Sequence, residues 1–312
     1  MNATPPATAP DPAAAVPAGA APFRRFGILG PGLIGGSLLL ALRALRPGAE
    51  IVAGAPSART RALVEASGAA DRVFDPAAED PATAFDGCDL VFLAAPPRAV
   101  VRDLPRFRGA RIGLLVDVAS VKGAVMAAGR GLGNFVGGHP MAGTEGVGFA
   151  AADPGLFRGA AFVYCVPEDY AAGADRLAAL LALLAELGFR CFAMGAEEHD
   201  RRLAIVSHLP HAAAFALAGV AAAAGDPMLA RLVGGGFRDT TRIAASAPAL
   251  WTEILRGSPA LPAALDAYIA ALSRLRAALD PAAPPEALRA QLEAAEAYRR
   301  AIPDGLHAVP HA

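Results

Sequence analysis

The chain opens on a run of short apolar stretches at the spacing of alternating strands and helices. Residues 26–30, 51–54, 89–95, 112–118 and 135–138 are strand-like, and residues 33–46, 57–67 and 121–131 are helix-like between them. The run DLVFLAA at 89–95 is apolar at nearly every position, as expected of a parallel strand covered on both faces. Two more strands are predicted at 161–166 and 190–194, with an alanine and leucine helix at 173–187 between them. This rhythm predicts a doubly wound α/β sheet. From residue 196 the strand pattern stops. Alanine- and leucine-rich helices follow to about residue 300, broken at Gly225-Asp226-Pro227, Gly234-Gly235-Gly236, Ser258-Pro259 and Asp280-Pro281. Helices this apolar must bury more than one face, so packing across a homodimer is expected. The predicted organisation is a tail at 1–22, an α/β domain at 23–194, and a helical dimerisation domain at 195–312.

Composition narrows the picture. Lys plus Arg number 28 and Asp plus Glu 29 in 312 residues, a formal net charge of −1. That balance argues against a nucleic-acid partner. Hydrophobic residues make up 54%, yet the longest apolar candidate, residues 203–224, is interrupted by His208, Pro210 and His211, so no membrane span is expected. Residues 1–22 are mostly alanine and proline with no base, which is neither a secretory signal nor material for a core, and they are predicted to be disordered. Cys88, Cys165 and Cys191 are too few and too scattered for a disulfide framework or a zinc site, so a cytoplasmic location is the simplest fit.

Chemistry enters with Gly30-Pro31-Gly32-Leu33-Ile34-Gly35, a G-x-G-x-x-G that follows a strand and opens a helix. In that context it marks a dinucleotide site, with Gly30, Gly32, Leu33, Ile34 and Gly35 as cofactor-binding residues. NAD sites carry an acid about 20 residues further on, at the end of the second strand. Here that end reads AGAPSARTR from Ala53, with no acid. Ser57, Arg59 and Arg61 suit a 2′-phosphate instead, which tips the expected cofactor, NAD(P), toward NADP.

A histidine in GGHPMAGTE, residues 137–145, sits at a strand end, where open α/β sheets face their cofactor crevice. His139 is therefore a candidate proton acceptor for hydride transfer. In DVASVKG, residues 117–123, Lys122 is the one lysine of the chain, a candidate point charge for an anionic substrate. His208 and His211, three apart, are expected on one helix face as donors to such a substrate; with no third ligand at readable spacing, no metal site is expected. His199 reads as a helix-packing or capping residue. Arg242, in GFRDTTRI, either pairs with Asp239 or faces a carboxylate ligand in bidentate fashion.

Taken together, GPGLIGGS, DVASVKG, GGHPMAGTEGVGF, LFRGAAFV, EEHDR, SHLPH, GGFRDTTRIA and the segment around Trp251 resemble the prephenate and arogenate dehydrogenases, over residues 26–256. The resemblance implies a Rossmann-type domain followed by an all-helical dimerisation domain. It implies NAD(P)-dependent oxidative decarboxylation of prephenate to 4-hydroxyphenylpyruvate, or of arogenate to tyrosine. It also implies that His139 is the catalytic histidine at the substrate 4-hydroxyl. Ser120 would bond that hydroxyl and orient His139, and Arg242 would hold the side-chain carboxylate. His208, His211, Thr144 and Glu145 would line the substrate pocket, with Lys122 as a further cation. The sequence stops soon after the helical region, so no fused mutase or regulatory domain is expected. Two other readings are a different two-domain reductase, of hydroxyacids or pyrroline carboxylate, and a nucleotide-sensing dimer without turnover. The first has no need for His139 and Arg242 together; the second needs no His139, Ser120 and Arg242 set.

Overall fold

The computed structural model describes residues 23–302 apart from Glu145; the predicted tail at 1–22, Glu145, and His307 and His311 lie outside the described residues. The first part of the chain runs β1 (Arg25–Leu29), α1 (Leu33–Leu45), β2 (Glu50–Gly54), α2 (Ala58–Ser67), β3 (Arg72–Phe74), α3 (Pro81–Ala84), β4 (Leu90–Leu93), α4 (Pro97–Asp103), β5 (Leu114–Asp117), α5 (Gly123–Ala128) and β6 (Phe135–Met141). It continues with β7 (Ala161–Cys165), α6 (Ala174–Glu186) and β8 (Arg190–Ala193). The sheet order is β3-β2-β1-β4-β5-β6-β7-β8. Strands β1 to β6 are mutually parallel, β7 is antiparallel to β6, and β8 is parallel to β7. The order reverses between β1 and β4, the switch point where doubly wound sheets open a ligand crevice.

The apolar runs work as two-faced strands. Leu90 and Phe92 join Leu38, Leu42 and Leu184 in one buried layer. Val91 and Leu93 join Phe85, Val100 and Leu104 in the other. Successive side chains of β4 thus feed opposite layers, which is why that segment carries no polar alternation.

Three departures from the sequence reading matter. Strand β3 and helices α3 and α4 were not expected; β3 is three residues long, too short for a period, and α4 opens on Pro96-Pro97, a pair that reads as a loop but suits a helix start. His139 lies within β6 rather than beyond it, because β6 continues to Met141 by pairing with β7 in the register His139↔Val163. By that point the recorded pairing of β6 with β5, at Phe135 and Val136, has ended, so the strand has an open side for Pro140. Third, the apolar segment after residue 203 is not interrupted as a helix. Helix α7 (Ala196–Leu203) passes through a π turn at residues 204–208 into α8 (Leu209–Ala223), with Pro210 tolerated in the first turn of α8. The rod Ala196–Ala223 is thereby long and apolar enough, by length and composition only, to cross a bilayer.

Five further helices follow: α9 (Pro227–Leu232), α10 (Gly235–Thr241), α11 (Pro248–Gly257), α12 (Leu261–Ala278) and α13 (Pro285–Ala301). Within the single chain this part buries few apolar side chains, Leu203, Ile254 and Leu261 among them, and leaves Ile205, Val206, Val220, Leu232 and Ile269 exposed. Five large apolar residues in water are what a surface made to be covered looks like.

Candidate active site

The turn after β1 is built by backbone. Gly30 has φ +89°, and a Cβ there would meet the Ala94–Ala95 backbone at 2.8 Å. Its N–H donates to the Gly54 carbonyl at 2.9 Å. A Cβ at Gly35 would lie 2.4 Å from the Gly30 carbonyl oxygen, so α1 packs against the turn only because that position is glycine. Gly32 differs: nothing lies within 4 Å of the same construction, and as the N-cap of α1 it offers no side chain to the first-turn N–H groups. Helix α1 has no acid in its first turn. An open, uncapped helix start with no opposing carboxylate fits a pyrophosphate.

This turn lines one end of a cavity of about 700 Å³. The cavity runs past Ser120 and His139 to Ser207, His211, Arg242 and Trp251 of the helical part. Thr144 lines it as well. The π turn and α8 thus carry the far wall of a site whose near wall is the sheet edge. A second cavity of about 830 Å³, lined by Met126, Glu168, Glu197 and Asp200, lies apart from the glycine turn.

His139 is 6% exposed. Burial, followed by the proximity of His199, Lys122 and His208, holds its pKa well below the ordinary histidine value, so the ring is neutral. Its Nδ1 lies 2.8 Å from His199 Nε2, and His199 Nδ1 lies 2.8 Å from Asp200 Oδ1. Asp200 also accepts the backbone N–H groups of Lys122 and Gly123, each at 2.8 Å. Burial alone raises a carboxyl pKa, but here the bonds from His199, Lys122 and Gly123 outweigh it and the pKa is lowered. The resemblance made Ser120 the residue that orients His139. Ser120 lines the same cavity but makes no hydrogen bond to His139, to which His199 is bonded instead.

Lys122 corrects a second expectation. It is fully buried and ion-paired with Asp117. Asp117 also accepts the N–H groups of Ala119 and Gly138, at 2.8 Å and 3.1 Å. Asp117 thus ties the end of β5 to β6, Lys122 offsets its buried charge, and the lysine is absent from the cavity wall. A compact ammonium on a flexible stem reaches a buried carboxylate where a guanidinium would need more donors satisfied.

The two histidines expected to act together are split. His211 lines the cavity, stacked on Trp251 at 3.4 Å between centroids, with its Nδ1–H donated to the Ser207 carbonyl at 3.0 Å. His208 is buried away from the cavity, 2.8 Å from the Ser258 hydroxyl, and burial lowers its pKa to about 4. The π turn between α7 and α8 ends at His208, and with the helix path altered there, three-residue spacing no longer sets a common environment.

The residues expected to meet a 2′-phosphate are also redistributed. The Ser57 hydroxyl caps α2, accepting the Thr60 N–H. Arg61 bonds the carbonyls of Ala55 and Pro56 and pairs with Asp75 at 2.9 Å. Arg59 is exposed, and neither it nor Ser57 is on the cavity wall, where Ala55, Pro56 and Thr60 stand. Asp75, which follows β3, pairs with Arg61 and accepts the Ala77 N–H, and it too is off the cavity wall.

Sequence comparison agrees with this layout. Residues 40–193 match the family model described as the prephenate dehydrogenase nucleotide-binding domain, and residues 195–293 the one described as its dimerization domain. The chain belongs to the prephenate dehydrogenase family. It is 35% identical over 269 residues to the cyclohexadienyl dehydrogenase of Zymomonas mobilis, covering 82% of this chain and 89% of that protein. It is 33% identical to the prephenate dehydrogenase of Bacillus subtilis, covering 73% of this chain and 62% of that longer relative. Among solved structures it superposes on the Aquifex aeolicus prephenate dehydrogenase in complex with hydroxyphenyl propionate and NAD+, with TM-score 0.80, 26% identity, and coverage of 91% of this chain and 99% of that one. The Synechocystis arogenate dehydrogenase gives TM-score 0.71 and 27% identity, over 89% of this chain and all of that one. As a family member this chain is a dehydrogenase with a nucleotide-binding domain. His199 was the functional candidate that sequence reading set aside; its signal was the EEHDR motif.

Proposed function

We propose that this chain oxidatively decarboxylates prephenate to 4-hydroxyphenylpyruvate in tyrosine biosynthesis. One observation carries the reading: a single cavity joins the glycine turn, a neutral buried His139, and Arg242. Prephenate is a dicarboxylate with a ring carbinol. Oxidation of the carbinol, loss of carbon dioxide and aromatisation need a base at the hydroxyl and cations at the carboxylates.

His139 Nε2, the ring nitrogen left by the His199 bond, takes the hydroxyl proton. A positioned base of this kind contributes about 10²–10⁴ in rate. Arg242 holds a carboxylate by paired N–H donors. The stacked His211 and Trp251 form a flat wall for a ring. The glycine turn and the start of α1 would hold the dinucleotide, whose nicotinamide accepts the hydride when bound. With net charge near zero, attraction for the dianion comes from these local groups.

For the cofactor we favour NAD over NADP. The sequence leaned to NADP because no acid stood at the end of β2. Arg61 is tied to Asp75 and to the Ala55 and Pro56 carbonyls, and Ser57 is used as a helix cap, so two of the residues expected at a 2′-phosphate are engaged elsewhere, which supports the opposite preference. The exposed apolar faces of the helical part support assembly with a second copy, and light scattering should return twice the 31.5 kDa chain mass.

The test is the purified protein with prephenate or arogenate and with NAD or NADP, followed by absorbance of the reduced cofactor. Turnover of prephenate with NAD at the highest kcat/KM is expected. A higher kcat/KM on arogenate would move the assignment to arogenate dehydrogenase, and no turnover of either would overturn it. His139→Asn should lower kcat by about 10²-fold or more. Near-normal turnover would remove His139 from the role.

A further inference from the structure

A neutral imidazole carries one proton, and only the tautomer with a bare Nε2 lets His139 act as a base toward the cavity. The hydrogen-bond chain behind the ring settles which tautomer forms. Asp200 accepts two backbone N–H groups and lies 2.8 Å from His199 Nδ1. A carboxylate only accepts, so in its neutral form His199 donates from Nδ1 and its Nε2 is left as a lone pair. That lone pair lies 2.8 Å from His139 Nδ1, which must then carry the hydrogen. Nε2 of His139 is consequently unprotonated.

We infer that His199 and Asp200 are positioning residues that fix the tautomer of His139 and hold the proton it collects. This rests on the reading of His139 as the base. The O–H bond of the carbinol breaks and its proton joins His139 Nε2, while the hydride goes to the oxidised nicotinamide. The Nδ1 proton of His139 passes to His199 Nε2, which leaves an imidazolium donating to the Asp200 carboxylate. Carbon dioxide then departs, its C–C electron pair enters the ring, and the former hydroxyl oxygen becomes a phenolate. The phenolate recovers the proton from His139 Nε2 as Nδ1 takes its own back from His199. No proton is gained or lost overall, so the chemistry calls for a holding place beside the base. The other titratable groups facing His139 are committed elsewhere: Lys122 to Asp117, and His208 to Ser258.

The test is a long-range 1H–15N correlation spectrum of the full chain labelled with 15N-histidine, read together with steady-state kinetics. In the wild type, His139 should show a protonated Nδ1 and an unprotonated Nε2. His199→Leu removes the acceptor, so the proton should move to Nε2 and kcat should fall by about 10²-fold. His199→Gln keeps an acceptor oxygen but cannot take a proton; it should preserve the His139 tautomer and lose about 10-fold in kcat. A wild-type His139 protonated on Nε2, or His199→Leu turning over within about threefold of wild type, overturns the inference. If His199→Leu fails to fold, the wild-type spectrum and His199→Gln decide. The spectrum needs no turnover, so absence of activity on either substrate would count against the proposed reaction and leave the tautomer assignment to be judged separately.

Discussion

Gly32 and Gly35 belong to one motif, yet the structure gives them different work, and a single methyl group separates the two roles. A Cβ at Gly35 would stand 2.4 Å from the Gly30 carbonyl oxygen and 2.8 Å from Ala94 Cβ. Ordinary contact begins at 3.4 Å. Helix α1 would have to retreat by roughly an ångström from a turn that is itself backbone, and overpacking of this kind costs about 1–3 kcal/mol. At about 2–4 °C per kcal/mol for a domain of 150–250 residues, Gly35→Ala should lower the melting temperature of the ligand-free protein by roughly 2–12 °C. At Gly32 nothing lies within 4 Å, so Gly32→Ala should leave the ligand-free melting temperature unchanged. Its methyl would occupy the space a pyrophosphate needs in order to reach the helix N–H groups. Losing one charge-assisted hydrogen bond, about 1.5–3 kcal/mol, weakens nucleotide binding by roughly 10- to 100-fold. Calorimetric melting without ligand and titration with NAD separate the two effects. An unshifted melt for Gly35→Ala, or an equal drop for Gly32→Ala, would refute the division of roles.

Arg242→Gln should raise the KM for prephenate by roughly 10-fold or more with a smaller change in kcat, since it removes binding made before the chemistry; an unchanged KM contradicts its role at a carboxylate. Lys122→Met strands the buried Asp117 carboxylate and should destabilise the fold by about 3–5 kcal/mol, measured by denaturant unfolding, with part of that loss recovered in the double variant Lys122→Met/Asp117→Asn. A well-folded Lys122→Met with only a raised KM would return the lysine to substrate binding. His208 has its pKa lowered to about 4 against 6.5 when unfolded. The unfolded chain therefore binds its proton first as pH falls, and the stability this neutral histidine supports above pH 6.5 is lost progressively down to about pH 4. Melting temperature should fall across that window, and less steeply in His208→Gln; equal slopes would remove His208 as a source of the acid sensitivity.

The strands and helices that carry the site were legible because each is a local pattern. The run at 89–95 shows its two-sided burial in composition alone, and GPGLIG needs only its neighbouring strand and helix to mean a dinucleotide turn. The candidate site was legible as a set of motifs but not as a set of partners. Lys122 looked like a cation for substrate because its carboxylate, Asp117, could not be told from a strand-end acid. His208 and His211 looked equivalent because an α-helical spacing was assumed across what is a π turn. Ser120 was paired with His139 by the family resemblance alone, since the two stand in separate motifs and nothing in their spacing shows a contact.

What the sequence determined alone is the alternation of strands and helices, the place of the glycine turn, and the residue types that chemistry requires. Those follow from backbone sterics and from burial periodicity, which act over a few residues. What the tertiary structure decided is which nitrogen of His139 is free, which cation is already paired, and which side chains meet across the cavity. His139 and His199 are 60 residues apart, and Lys122 and Asp200 are 78 apart. A proton's position depends on donors and acceptors within about 3 Å, and only folding brings such distant groups to that range.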